Sequence, residues 1–247
     1  MIIGVSGLAG SGKDTLAGYL VRDHGFTILS LADPLKRICR DVFDFSDDQL
    51  WGSSERRNEP DERYPRNDPA VQRARDIAAN MTDNKVAIPA FVVEEAAKGP
   101  MAYLTPRYAL QRLGTEWGRD CYYNVWVEYA MRTARRLLVD PDDGSVPYYD
   151  QRHGLSYRHL GPYGMPKGVA IPDVRFRNEI EGIKEAGGKV IRIRRPGAGL
   201  RGLAGLHASE LEQTAIPDVA FDYVVENDGT LESLRAKAAA ALQHLRP

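Results

Sequence analysis

The chain has 247 residues, enough for one large domain or for a core that carries insertions. Hydrophobic residues at 43% and charged residues at 27% describe an ordinary soluble globular protein. The formal net charge of −1 supplies no global basic field, so a nucleic-acid polymer is not an expected partner and any phosphate must be met by local clusters. No apolar run approaches the ~18 residues needed to span a bilayer, so no membrane is expected either. Two cysteines, Cys39 and Cys121, lack C-x-x-C spacing and read as reduced thiols. Met1-Ile2-Ile3-Gly4-Val5 reads as a strand, not as a signal peptide, and the expected setting is the cytoplasm.

In chain order, residues 1–6 predict a buried parallel strand, 7–13 a glycine-rich loop, and 14–23 a helix with Leu16, Ala17, Leu20 and Val21 on one face. A short strand is expected over 26–31, and Asp33-Pro34 opens a helix to about Val42. Residues 44–70 are polar and proline-containing and read as an excursion or flap outside the core. Weak helical patterns lie at 70–80 and 88–98. Clearer helices start at Pro106 and at about Val125, the latter running to Leu138. A second excursion covers 140–168. Strand 168–174, helix 178–186 closed by Gly187-Gly188, and strand 189–194 follow. The chain ends with a basic loop over 195–217 holding a short helix, a strand at 223–225 and an Ala/Leu-rich helix over 231–245. Alternation of strands and helices predicts an α/β fold: a parallel sheet with helices on both faces, the three-layer P-loop NTPase arrangement. We expect a single domain over 1–247, with insertions at about 44–105 (acceptor side), 140–168 and 195–217 (lid).

Gly7-Leu8-Ala9-Gly10-Ser11-Gly12-Lys13-Asp14-Thr15 has the spacing G-x-x-x-x-G-K between a strand and a helix. Glycines let backbone N–H groups curl around an anion, and the helix that follows adds the positive end of its dipole. Gly10, Ser11, Gly12, Lys13, Asp14 and Thr15 are therefore the expected ATP-binding residues, with Lys13 reaching the β- and γ-phosphates. Asp14 stands where Ser or Thr is usual, with Thr15 next; Asp14 and Thr15 are the candidate Mg²⁺ contacts, Asp14 directly or through water, the alternative being an ion held mostly by ATP oxygens and waters.

Asp173 ends an apolar strand, where ligands bind in open α/β sheets. It reads either as a catalytic carboxylate that orients a metal-bound water or as the N-cap of the next helix. Arg175 and Arg177 alternate, so one of them is expected to face the site. Arg192, Arg194, Arg195 and Arg201 surround a glycine-containing loop that could close over a transferring phosphoryl group. Arg175, Arg194 and Arg195 join Lys13 and Asp173 as candidate catalytic groups. Arg107, Gln111, Arg112, Thr115 and Arg119 lie on or beside the helix from Pro106, with Arg112 and Arg119 on one face if the helix continues. Such arginines suit a monophosphate, which is largely dianionic at neutral pH and needs no general base. For an alcohol acceptor, Asp33 would be the candidate carboxylate.

Five segments in order carry a family resemblance: Gly7–Thr15; Ala32-Asp33-Pro34-Leu35-Lys36; Leu110-Gln111-Arg112-Leu113-Gly114-Thr115 with Trp126 after it; Ile171-Pro172-Asp173-Val174-Arg175; and Arg195-Pro196-Gly197 continuing to Asn227-Asp228-Gly229-Thr230-Leu231. With these the chain resembles the bacteriophage-type deoxynucleoside monophosphate kinases. The resemblance implies ATP and Mg²⁺, a dNMP acceptor, a dNDP product and, for a phage-encoded chain, the host cytoplasm. It implies that Asp33 and Lys36 lie near the acceptor, that Arg107, Gln111 and Thr115 help to bind it, and that Asn227 lies near the adenine. Residues 44–70 and 140–168 match it less clearly. Competing expectations are a P-loop kinase for another phosphorylated metabolite, such as dephospho-coenzyme A, and a nucleotide-binding module without turnover. A homodimer through the Ala-rich C-terminal helix or the 140–168 excursion is compatible with the sequence, which does not require one.

Overall fold

The computed structural model describes residues 1–65, 103–139, 148–150, 154–156, 166–199 and 208–246. The weak helical patterns at 70–80 and 88–98, most of the 140–168 excursion, and Arg201 lie outside these residues.

The chain divides into two compact units, Met1–Asp33 with Tyr122–Pro247, and Pro34–Cys121. The first is built on a five-stranded parallel sheet of β1 (Ile2–Ser6), β2 (Phe26–Ile28), β7 (Gly168–Val174), β8 (Lys189–Arg194) and β9 (Tyr223–Glu226). The strand order is β2-β7-β1-β8-β9. The central strands are almost wholly apolar and buried, as a sheet covered on both faces requires. Side chains alternate across β1. Ile3 and Val5 pack with Leu16 and Leu20 of α1 (Lys13–His24) and with Leu234, Ala238 and Leu242 of α9 (Leu231–Leu245). On the other face, a Cβ at Gly4 would come within 2.8 Å of Ile183 in α7 (Arg177–Glu185). That helix packs in turn on α6 (Val125–Val139), where a Cβ at Gly182 would lie 2.7 Å from Val127. This is the three-layer α/β/α arrangement expected from the sequence.

Helix ends follow local chemistry. Gly25 closes α1 in the left-handed conformation at φ 74°, donating to Val21 O. Thr105 caps α5 (Pro106–Arg112) by accepting from Tyr108 N at 3.1 Å, with proline in the first turn. Thr230 caps α9 through Ser233 N at 3.2 Å.

The second unit holds most of α2 (Asp33–Phe43), then α3 (Asp47–Trp51), α4 (Ser54–Asn58), an antiparallel pair of β3 (Asp61–Pro65) with β4 (Tyr103–Leu104), and α5. The expectation that residues 44–70 stand outside a core is corrected here for 44–65. Phe45 and Leu50 are fully buried with Cys39 and Ala109, and Phe43, Phe45 and Tyr64 form a ring cluster. Two apolar anchors five residues apart suffice when short capped helices aim them at the same core. A π-helix, Leu113–Arg119, continues α5. Its i→i+5 winding breaks the 3.6-residue period, so Arg112 and Arg119 do not return to one face as an α-helix would bring them. In the first unit β5 (Tyr148–Asp150) pairs antiparallel with β6 (Gly154–Ser156), and α8 (Ala208–Ala215) precedes a 3₁₀ turn at Asp218–Ala220.

Candidate active site

The phosphate loop runs from the end of β1 into α1. Gly10 and Gly12 take φ of 76° and 97°, left-handed values that a side chain would strain. Ser11 N donates to Leu8 O at 3.1 Å and curls the loop. At Gly7 there is no room for a Cβ, which would lie 2.5 Å from Ser11 Oγ and 2.6 Å from Ile193 O. Gly12 is the N-cap of α1, and no side chain caps that end. A helix N-terminus entered through left-handed glycines offers backbone N–H groups to an anion. Lys13 and Asp14 open the helix. The Lys13 side chain is 11% exposed and that of Asp14 81%, with Nζ 4.0 Å from Oδ2. Thr15 is half-buried beside them.

Asn227 reaches this loop from the end of β9. Its Nδ2 donates to Ser11 O at 2.8 Å, and its backbone N–H donates to Arg194 O at 2.7 Å. Beside the loop lies a cavity of about 360 Å³, lined among others by Gly7, Leu8, Ser11, Arg195, Gln213 and Glu226. Ser11 Oγ and Gln213 Oε1, on two of its lining residues, are buried without a hydrogen-bond partner among the described residues.

Asp173 does not cap the following helix, so that alternative is corrected. The N-cap of α7 is Phe176, and the buried Glu179 carboxylate accepts from the N–H groups of Arg175 and Phe176. The Asp173 carboxylate instead accepts from Ser30 Oγ at 2.5 Å, Leu31 N at 3.0 Å and Ala32 N at 3.1 Å. Ser30 N donates to Asp33 Oδ2 at 3.1 Å. Ser30 therefore joins both carboxylates and fixes the loop that carries Asp33. The sequence reading passed over Ser30; its signal is a hydroxyl residue three positions before Asp-Pro, a local turn former.

The arginines separate into distinct roles. Arg192 is a structural staple: it donates to Ile216 O, Gln213 O and Asp218 and stacks 5.0 Å from the Phe221 ring centre. Arg194 is paired with Asp218 and, at 3.5 Å, with Glu226. Arg195 is exposed, and its guanidinium has no ion-pair partner among the described residues. Arg175 is half-buried at the end of β7, whereas Arg177 is exposed as the first residue of α7. The strand stops before Arg177, so alternation does not decide which of the two faces the site.

In the second unit, Lys36 lies 5.4 Å from the Trp51 ring centre, and Arg107 donates to Ser54 Oγ at 2.7 Å. Arg112 makes a two-point ion pair with Glu116, at 2.7 and 2.8 Å, and lies 5.7 Å from the Tyr108 ring centre. Gln111 lies in the last turn of α5 and Thr115 in the π-helix, both half-buried. Among the described residues no group of three or more His, Cys, Asp or Glu side chains could hold a metal. No described helix is long and apolar enough to cross a membrane.

No family model matches the chain. It is 30% identical over 244 residues to a protein of Acanthamoeba polyphaga mimivirus described as "Putative deoxynucleotide monophosphate kinase", covering 99% of this chain and 97% of the relative. The chain belongs to the deoxynucleotide monophosphate kinase family. For this kinase family member, the match over nearly full length takes in the phosphate loop, the Asp33 loop, the π-helix and the Asn227 turn alike. Solved structures align more loosely: a dephospho-CoA kinase from Campylobacter jejuni at 13% identity with TM-score 0.40, covering 99% and 96% of the two chains, and TT1252 from Thermus thermophilus at 17% with 0.33, covering 100% and 98%. Family membership supports a phosphotransferase of the kinase type.

Proposed function

We propose that this kinase transfers the γ-phosphoryl group of ATP to the phosphate of a deoxynucleoside monophosphate, releasing ADP and a deoxynucleoside diphosphate. The observation that carries the reading is the phosphate loop, with Gly10 and Gly12 left-handed and Lys13 opening α1. Backbone N–H groups of Gly10, Ser11 and Gly12 would cradle the donor phosphates, and Lys13 would meet the β- and γ-oxygens. Catalysis of this transfer is mostly positioning and charge stabilisation. Arg195 and Arg175 are the cations proposed for the transferring group. Arg194 can join them only by leaving Asp218 and Glu226.

Asp14 and Thr15 suit Mg²⁺, because this ion takes one or two protein oxygens and completes its shell with phosphates and water. Held there, the ion would supply positive charge that offsets the charge of the donor phosphates. Asp173 holds the Asp33 loop, and that role replaces the direct metal or water contact as its proposed contribution. Lys36, Arg107, Gln111, Arg112 and Thr115 are the proposed acceptor-binding residues of the second unit, with Asp33 at the boundary between the units. No general base is required, since the acceptor phosphate is already largely dianionic near pH 7.

The test is a coupled ADP-release assay with ATP, Mg²⁺ and each of the four common dNMPs, against water and against dephospho-coenzyme A. Release stimulated by a dNMP supports the proposal and gives the base preference. Stimulation by dephospho-coenzyme A alone would move the acceptor to another metabolite class. Release equal to the water control throughout would point to a nucleotide-binding module without turnover.

A further inference from the structure

We propose that Asn227 is a positioning residue of the phosphate loop, holding the Ser11–Gly12 peptide so that the Gly12 N–H faces the donor phosphates. This role rests on the reading of that loop as the ATP-phosphate site. Asn227 is 8% exposed, and its side-chain Nδ2 donates to Ser11 O at 2.8 Å. All peptide bonds in the described chain are trans. In a planar trans peptide the C=O and the next N–H point in opposite directions. Pinning the Ser11 carbonyl toward Asn227 therefore turns the Gly12 N–H to the other side, away from Asn227. An N–H at the start of a helix has no intrahelical partner and is available to an anion.

Three further observations make the arrangement specific. The Asn227 backbone N–H is fixed on Arg194 O at 2.7 Å, so the residue cannot swing with its side chain. A Cβ at Gly12 would lie 2.6 Å from Asn227 Nδ2, so glycine is needed for the amide to approach. Gly12 holds φ at 97°, which glycine adopts without strain and a residue with a Cβ does not, so the backbone turn and the amide approach make the same demand on this position. The resemblance alone put Asn227 near the adenine. The geometry assigns its side chain to the loop that meets phosphate.

The two roles differ in a measurable way. Inorganic tripolyphosphate has the phosphates of ATP and no base. Binding of Mg-ATP and of Mg-tripolyphosphate is measured by calorimetry on wild type, Asn227→Leu and Asn227→Ala. Leucine keeps the volume without the donor; alanine leaves space for water and covers the case in which leucine does not fold, as judged by its thermal midpoint. Loss of one hydrogen bond that orients a charged contact is expected to weaken both ligands by the same factor, about tenfold. The Gly12 amide proton is expected to move downfield on tripolyphosphate binding in wild type and to move much less in the variants. Weakened ATP with unchanged tripolyphosphate would overturn the proposal in favour of a base contact, and unchanged binding of both would overturn it outright. If wild type binds neither ligand, the phosphate-loop reading itself fails and this role falls with it.

Discussion

At the residue scale, the chemistry concentrates in a few side chains with unlike surroundings. Lys13 opens α1 beside the loop glycines, so Lys13→Ala is expected to abolish phosphoryl transfer, a loss of at least about 100-fold, while circular dichroism and thermal midpoint stay unchanged. Full turnover in that variant would remove the loop from the mechanism. Ser30 ties Asp173 to Asp33 through its hydroxyl and its N–H. Ser30→Ala deletes one of the three donors on Asp173 and is expected to raise the acceptor KM about fivefold, with the ATP KM little changed. Equal effects on both substrates would show that the loop serves the whole site. The two thiols also differ. Burial pushes Cys39 up to about 12, whereas Cys121 is exposed. In the native protein at pH 8 a thiol reagent is expected to titrate Cys121 alone, with Cys39 appearing only on unfolding.

At the scale of elements, the second unit depends on polar staples as well as on its rings. Asp61 is buried and accepts from Gln49 Nε2 and from the Arg63 guanidinium and backbone N–H. The Arg63 hydrogen bonds, ahead of the opposing effect of burial, hold its carboxyl down at about 2 against an ordinary 3.8. A folded-state value below the unfolded one means that the stabilisation is fully present above about pH 4 and is lost as pH falls through about 2. Asp61→Asn is therefore expected to cost about 1–3 kcal/mol near neutral pH, and the gap from wild type to close on acidification toward pH 2, as followed by urea unfolding across pH. A constant gap would assign the loss to packing. In the phosphate loop, Gly12→Ala meets both a left-handed backbone and the Asn227 amide 2.6 Å away. The strain is expected to lower stability by about 1–2 kcal/mol, with ATP affinity falling further than that strain explains.

At the scale of the whole molecule, the sequence determined the layered α/β core and the phosphate loop. Continuous apolar strands, a 3.6-residue stripe on α1 and the G-x-x-x-x-G-K spacing are local patterns set by backbone sterics and burial. Family membership was legible too, because the five quoted segments run the length of the chain. Other features needed the tertiary structure. Residues 44–65 look like loop in sequence, since Phe45, Leu50, Trp51 and Tyr64 are scattered among polar residues, and their burial depends on Cys39 of α2 and on Ala109, which is distant along the chain. Arg192 and Arg194 look like phosphate ligands, yet Asp218, which follows them by more than twenty residues, engages both. The π-helix at Leu113–Arg119 carries no local signature that separates it from the end of α5. Asp173 to Ser30 and Asn227 to Ser11 span 143 and 216 positions. A carboxylate or an amide announces its own capacity to bond. Which distant group satisfies it is set only when the sheet brings β2 beside β7, and β9 beside β8 at the phosphate loop.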